Sequence, residues 1–249
     1  MRKLESVITD YNDVDVWESR NGQIDLNVIG ATHATWHPWQ LMTGHAWDAI
    51  TAAVLLHPGP INRLLMLGLG GGTVLRQLRN FLPDTHFTAV EIDGEMIRLA
   101  QKYMELDQTD VTVIHDDAFA YLEQETHCFD VIIDDLYRCG THDVERPALV
   151  DAPLVQSHCE RLTDEGSLVM NFVMGRGHQN MHRSARKAFT KHFPSVRAIR
   201  PPHSHNEVIV GTRSALPLKG PRALRKITPM LTDLEDQKFW KELRNLKLR

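Results

Sequence analysis

The sequence predicts an α/β fold, doubly wound about a mostly parallel sheet, with a small β appendage at the N-terminus. Three observations predict it. Short apolar runs alternate with helix-period segments through the middle of the chain, the order that yields a parallel sheet covered by helices on both faces. The first of those runs, residues 64–67, breaks into the glycine-rich stretch GLGGGT before a helical pattern begins. The second run ends AVEID, which puts an acid at a strand tip about 20 residues beyond the glycines, the spacing of a nucleotide-binding βαβ unit.

Each element follows from its pattern. In residues 1–39, VDVWES and QIDLNVIG alternate apolar and polar positions around the turn signal Asn21-Gly22 and predict a β-hairpin region. Residues 40–56 change to helical spacing through Leu41, Trp47, Ile50, Ala53 and Val54, and HPGP ends that helix. Then come RLLML and TVLRQLRNFL, HFTAVEI and GEMIRLAQKYM, VTVIH and AFAYLEQE, FDVII and ALVDAPLVQSHCERL, SLVMNFVM and NMHRSARKAFTKHF. SVRAIRP and NEVIVGT lie too close for a crossover helix and predict a terminal hairpin, completing seven strands within a domain of residues 40–213. Residues 214–249 read as a basic helical tail, packed on the body through Leu231, Leu234 and Trp240.

Composition narrows the function classes. The chain has 249 residues, 42% of them hydrophobic and 24% charged, enough for one sizeable domain and an appendage. No apolar run approaches the roughly 20 residues of a bilayer span, and MRKLESVITD lacks a signal-peptide core. The expectation is a cytoplasmic protein without a membrane partner. Three cysteines without CxxC spacing read as reduced thiols. Among the 14 histidines, pairs such as His33 and His37 or His178 and His182 have no acidic or thiolate companion in a ligand pattern, so no metal site is expected. Net charge −4 hides a split: residues 1–174 carry 11 lysines and arginines against 27 acids, net −16, and residues 175–249 carry 17 against 5, net +12. The basic part has few aromatics for stacking bases, which disfavours nucleic acid as a partner.

The glycines Gly68, Gly70, Gly71 and Gly72 allow a tight turn and close approach of a ligand to the backbone. Glu91 stands where a carboxylate accepts bonds from ribose hydroxyls, and Asp117, after the third strand, where one accepts from an exocyclic amine. No Walker lysine follows the loop, so a nucleoside without a polyphosphate is favoured over ATP.

GLGGGTVLRQL, AVEIDGEMIRLAQKY, HDDAFAYLEQ, FDVIIDD and LTDEGSLVMNF resemble successive motifs of the spermidine synthase-like proteins, the polyamine aminopropyltransferases and their relatives. The resemblance covers roughly residues 14–215. It implies a Rossmann-like fold of the AdoMet-dependent methyltransferase type. It also implies a donor pocket for S-adenosylmethionine or its decarboxylated form, with Gly68 to Gly72 at the methionine-derived portion, Glu91 at the ribose, Asp117 at the adenine amine and Asp135 as the catalytic aspartate. A homodimer is left open by it.

The departures from the family pattern concern the acceptor. Gly71 stands where aminopropyltransferases carry the aspartate of GGGDG, which predicts room for the carboxylate of intact AdoMet. DLYRC replaces DSSDP, putting Arg138 in place of the second acid, where a guanidinium repels a polyamine. His45-Ala46-Trp47 aligns with Tyr-His-Glu, and His33 with a glutamine. Trp47, Tyr137 and Arg138 become the expected substrate neighbours. The sequence therefore favours methyl transfer from AdoMet to a small acceptor, an amine among the candidates. The alternatives are aminopropyl transfer, which needs a replacement acid such as Asp48 or Asp143, and a non-catalytic nucleoside-binding or scaffold protein.

Overall fold

A computed structural model describes residues 1–11, 13–140 and 144–248. The N-terminal region is an antiparallel meander of β1 (Arg2–Ile8), β2 (Asp13–Glu18), β3 (Ile24–Val28) and β4 (Ala31–Trp36). The turn at Asn21-Gly22 joins β2 to β3 as expected, with the Gly22 N–H donating to the Ser19 carbonyl at 3.0 Å. Val14, Val16, Leu26, Val28 and Ala34 form this sheet's buried face, and it packs on Met96, Leu99 and Met104 of the larger domain.

That domain runs α1 (Ala46–Val54), β5 (Arg63–Leu67), α2 (Thr73–Phe81), β6 (His86–Glu91), α3 (Gly94–Tyr103), β7 (Val111–His115), α4 (Ala118–Gln124) and β8 (Phe129–Asp134). A short ribbon of β9 (Arg138–Cys139) and β10 (Val144–Glu145) follows, then α5 (Ala152–Cys159), β11 (Leu162–Val173), α6 (Gln179–His192), β12 (Ser195–Arg200) and β13 (Asn206–Thr212). After α7 (Pro221–Ile227) and α8 (Leu234–Glu242) the chain enters β14 (Arg244–Lys247). The central sheet has the order β14-β12-β13-β11-β8-β5-β6-β7, parallel from β11 to β7 and antiparallel among the others.

Two apolar layers sandwich it. Successive side chains of a strand point to opposite faces, so Leu64 and Met66 of β5 join α1 and α2 in one layer, while Leu65 and Leu67 join α4, α5 and α6 in the other. The order reverses between β5 and β8, one running on to β6 and the other to β11. At such a switch point the loops beyond the carboxyl ends diverge and leave a crevice.

The tail differs from its sequence reading in two respects. Leu231 and Trp240 are buried, with the Trp240 indole donating to the Leu224 carbonyl at 2.7 Å, but Leu234 is 79% exposed. Leu234 starts α8 just after its cap Asp233, on the side facing away from the body. Residues 244–247 add an eighth strand in place of helix, because β12 offers an unpaired edge whose backbone groups they satisfy. Among the described residues, no helix is long and apolar enough to cross a membrane.

Candidate active site

A cavity of about 650 Å³ opens at the switch point, within the range of small-molecule sites. It is bounded by the glycine loop after β5, the tips of β6 and β8, the loop after β7, the ends of β11 and β13, and the inner face of β3 and β4. Gly68, Gly70, Gly71, Glu91, Asp117, Asp135, Trp47, Tyr137 and Arg138 all line it. Gly72 does not. It begins α2 in the left-handed region at φ +78°, and a Cβ there would lie 2.9 Å from Leu106 Cδ1, so its role is to turn the chain into the helix.

Gly68 is demanded by close approach, since a Cβ at this residue would sit 2.8 Å from the Asp135 carbonyl oxygen. Gly71 is demanded by packing. Its Cβ would meet the Ala34 methyl at 2.3 Å, so β4 fills the space that the sequence reading left open for a donor carboxylate. That expectation is corrected: Gly71 offers the cavity backbone only. The Thr73 hydroxyl fastens the same junction, accepting from the Thr35 N–H at 3.1 Å and donating to the Thr35 carbonyl at 3.0 Å.

Glu91 braces the loop. Its Oε2 accepts from the N–H groups of Leu69 (3.0 Å) and Gly70 (2.9 Å), and its Oε1 from that of Asp93 (3.1 Å). A carboxylate has about four acceptor positions, so one remains on Oε1. Burial pushes the Glu91 carboxyl above its usual range, against the pull of the Gly70 and Asp93 N–H groups. Asp117 caps α4, with Oδ1 accepting from Phe119 N–H at 2.9 Å and Ala120 N–H at 3.0 Å. Among the described residues its Oδ2 makes no such bond.

Asp135 follows β8 and accepts from the Asn171 amide at 2.9 Å. Asn171 in turn accepts from the Asn206 amide at 3.0 Å. Burial raises the Asp135 carboxyl, opposed by Asn171 and by the nearby Arg146 charge. Tyr137 is pinned to β11, its hydroxyl donating to the Asn171 carbonyl at 3.0 Å and accepting from the Val173 N–H at 2.9 Å. Burial pushes its phenol up to about 12.

Behind this row Asp134 faces away from the cavity. Burial alone would raise its carboxyl, but the Arg146 guanidinium and His158, 3.1 Å away, outweigh burial and hold it well below the usual range. Arg146 also donates to the Asn171 carbonyl at 3.1 Å and lies against the Tyr137 and Phe172 rings. It thereby ties the β9–β10 ribbon to the residues that hold Asp135.

Charge in the cavity differs from the sequence reading. Arg138 is exposed and pairs with Glu145 across the β9–β10 ribbon at 2.9 Å, so its repulsion of a cation is largely cancelled. Among the described lining residues it is the sole lysine or arginine. His33 and His45 line the cavity, and burial holds both imidazoles below their ordinary value; His203 lowers His45 further, against Asp25. Of the replacement acids, Asp48 is fully buried and committed to the N–H groups of Thr43 and Gly44 and to the Gln77 amide, outside the cavity. Asp143 lies outside the described residues.

Sequence reasoning missed Asn171, Arg146 and Asp25. Asn171 had a signal, an amide within the apolar run LVMNFV. Asp25, on β3, lines the cavity beside Thr35, yet its alternation reads as a solvent-facing position. Only the docking of the N-terminal sheet turns it inward.

The model of the spermine/spermidine synthase domain matches residues 48–201. A polyamine aminopropyltransferase of Neisseria meningitidis is 30% identical over 184 residues, covering 70% of this chain and 66% of its own length. The chain thus spans less than two thirds of the length of the curated relatives it matches. A spermidine synthase solved in complex with the transition-state analogue AdoDATO superposes with a TM-score of 0.72 at 19% identity, covering 95% of this chain and 84% of the other. Human methyltransferase-like protein 13 in complex with SAH superposes with a TM-score of 0.63 at 23% identity, covering 80% and 93%. These two likenesses establish the fold, a Rossmann-like sheet of the spermidine synthase and methyltransferase type. Since the domain model matches more than half of its length, the chain belongs to the spermine/spermidine synthase family.

Proposed function

We propose that the chain transfers an aminopropyl group from decarboxylated AdoMet to an amine. The observation that carries this reading is the charge of the cavity: Asp25, Glu91, Asp117 and Asp135 line it, and its one arginine is already paired. Such a lining attracts a donor and an acceptor that are both cationic. Among the described residues it offers the carboxylate of intact AdoMet no unpaired lysine or arginine, and the space expected for that carboxylate at Gly71 is filled by Ala34. The polyamine aminopropyltransferase homologues support the same choice.

The lining fits the donor at named atoms. Glu91 Oε1 has an acceptor position for a ribose hydroxyl, Asp117 Oδ2 is available to an adenine amine, and the loop backbone faces the sulfur-bearing chain. The donor supplies an electrophilic carbon beside a sulfonium. The acceptor nitrogen bonds to that carbon, the carbon–sulfur bond breaks with its electron pair leaving on the neutral thioether, and the nitrogen loses a proton. Asp135, steadied by Asn171, accepts that proton or orients the lone pair. Positioning supplies most of the acceleration, since a thioether leaves without acid assistance.

The second reading is methyl transfer from AdoMet, favoured by the absence of an acid at position 71 and by the likeness to methyltransferase-like protein 13. One experiment decides between them. Purified protein is given each donor with a panel of diamines and triamines, and thermal stabilisation by each donor is recorded. Methylthioadenosine and an extended amine should form only with decarboxylated AdoMet, which should also stabilise the protein more. Asp135→Asn should lower kcat by about 100-fold or more. Stronger stabilisation and turnover with intact AdoMet would reverse the assignment.

A further inference from the structure

We infer that Arg146 is a positioning residue for the transfer step: held behind the β8 tip by Asp134 and His158, it sets the Asn171 main chain and the Tyr137 ring, and through them the aim of Asp135. The inference deepens the proposed function and rests on its assignment of Asp135 to the reacting atoms. Three observations carry it. Arg146, Asp134 and His158 are 8%, 0% and 0% exposed and come from three separate segments, the residue after β10, the last residue of β8, and α5. Arg146 does not line the cavity, whereas Asp135, Tyr137 and Asn171 do. The cluster is also imperfectly bonded. His158 Nε2 and Asp134 Oδ2, though 3.1 Å apart, are not aligned for a hydrogen bond, and Arg146 Nε meets no acceptor among the described residues.

Ionisable side chains taken out of water stabilise a fold only where their geometry is good and their remaining protons and lone pairs are bonded. This cluster falls short of that, so stability does not account for it. Its completed bonds do, because they end on the residues around Asp135. Asp134 Oδ1 accepts from the Leu136 N–H at 3.2 Å, which fixes the turn that carries Asp135 out of the strand. His158, whose Nδ1 donates to the Leu154 carbonyl at 2.8 Å, backs Asp134 from α5. The ladder between β8 and β11 ends at Met170. One residue further, the Asn171 carbonyl accepts from Arg146 Nη1 at 3.1 Å and from the Tyr137 hydroxyl at 3.0 Å, filling both of its lone pairs. The guanidinium also lies 5.5 Å from the centre of the Tyr137 ring. With its main chain held in this way, Asn171 directs its amide at Asp135 Oδ1, 2.9 Å away. A point charge cannot replace Arg146, since spanning Asp134 and the Asn171 carbonyl takes two arms of a guanidinium.

Two variants of the full chain separate this role from a structural one. Arg146→Lys keeps the positive charge beside Asp134 but has one nitrogen where two are used. Asp134→Val combined with Arg146→Met removes both charges and leaves an apolar pair, a change that buried ion clusters tolerate. Both should keep a Tm close to that of wild type, and thermal stabilisation by methylthioadenosine should persist. In the transfer assay both should lower kcat by about 10- to 100-fold, the effect of misplacing a reacting group, with KM for donor and amine changed by less than about 3-fold. The Val173 N–H donates to the Tyr137 hydroxyl at 2.9 Å and bonds neither altered side chain, and it should exchange with deuterium about 10-fold faster. Wild-type kcat and wild-type Val173 exchange in both variants overturn the assignment. So does collapse of both folds, or loss of stabilisation by methylthioadenosine, since the cluster would then support structure alone. Turnover of intact AdoMet only would fell aminopropyl transfer, and the same kcat losses read in methyl transfer would still support Arg146. Aminopropyl transfer at an unaltered kcat in the variants would do the reverse, and a wild type inactive with either donor overturns both.

Discussion

At the scale of single residues, position 71 separates a packing role from a binding role. A glycine kept for a ligand tolerates a methyl group until ligand is added, whereas a glycine kept for packing loses stability at once. The 2.3 Å approach of a built Cβ to Ala34 predicts the second outcome. Gly71→Ala should cost about 1 to 3 kcal/mol, as overpacking does, and lower Tm by roughly 2 to 12 °C for a chain of this size. Ala34→Gly in the same chain should restore much of the loss, a coupling that a double-mutant cycle measures. Unchanged stability in Gly71→Ala would show that the sheet and the loop part readily. The same residue marks how far the site was legible. Gly68, Gly70, Glu91, Asp117 and Asp135 could be placed in one crevice because each sits at a fixed offset from a strand end, and strand ends in this fold converge. Asp25 and Arg146 could not, because their positions depend on how a separate sheet and a ribbon dock, and no local pattern encodes docking.

At the scale of elements, Glu207 shows how α6 and the β12–β13 hairpin are fastened. It is fully buried on β13 and receives His182 and Arg186 from α6 and Arg200 from β12, at 2.6 Å in each ion pair. Burial raises its carboxyl, but the three bonds outweigh burial and hold it at about 2, against an ordinary 4.5. A depressed carboxyl contributes stability that is complete above the unfolded value and is lost as pH falls through the folded one. The contribution should therefore be full above about pH 4.5 and vanish toward pH 2. Glu207→Gln should cost about 2 to 3 kcal/mol at pH 7, discounted because Arg186 and Arg200 are more than a third exposed. Chemical denaturation across that range should find the gap between variant and wild type closing as pH falls, and a pH-independent gap would contradict the ion-pair account. The alternation of apolar runs and helical periods was enough to order seven strands, since periodicity reports local burial. β14 was hidden because a four-residue edge strand has no periodicity of its own. It exists because β12 presents an open edge, a fact of topology.

At the scale of the whole molecule, the charge split acquires a physical meaning. Residues 1–174, at net −16, supply all four cavity carboxylates, and residues 175–249, at net +12, supply the α6 and tail surfaces. The ion pairs described above each lie within one part or the other. The two parts meet through strand pairing and through hydrogen bonds such as those from Arg213 to the Cys159 and Leu162 carbonyls, and the acids around the crevice are left to draw cations toward its mouth. If the acceptor is a diamine, its encounter should be steered and therefore screened by salt. Raising potassium chloride from about 0.1 to 1 M shortens the Debye length from about 10 to about 3 Å, and kcat/KM for the diamine should fall by roughly 3- to 10-fold. A monoamine, with half the charge, should lose less. The change belongs in kcat/KM, because kcat is read after encounter is complete. Steady-state rates across that salt range measure it, and a flat response for both amines would mean that the cavity acids act only on contact, leaving the split in charge without a role in catalysis.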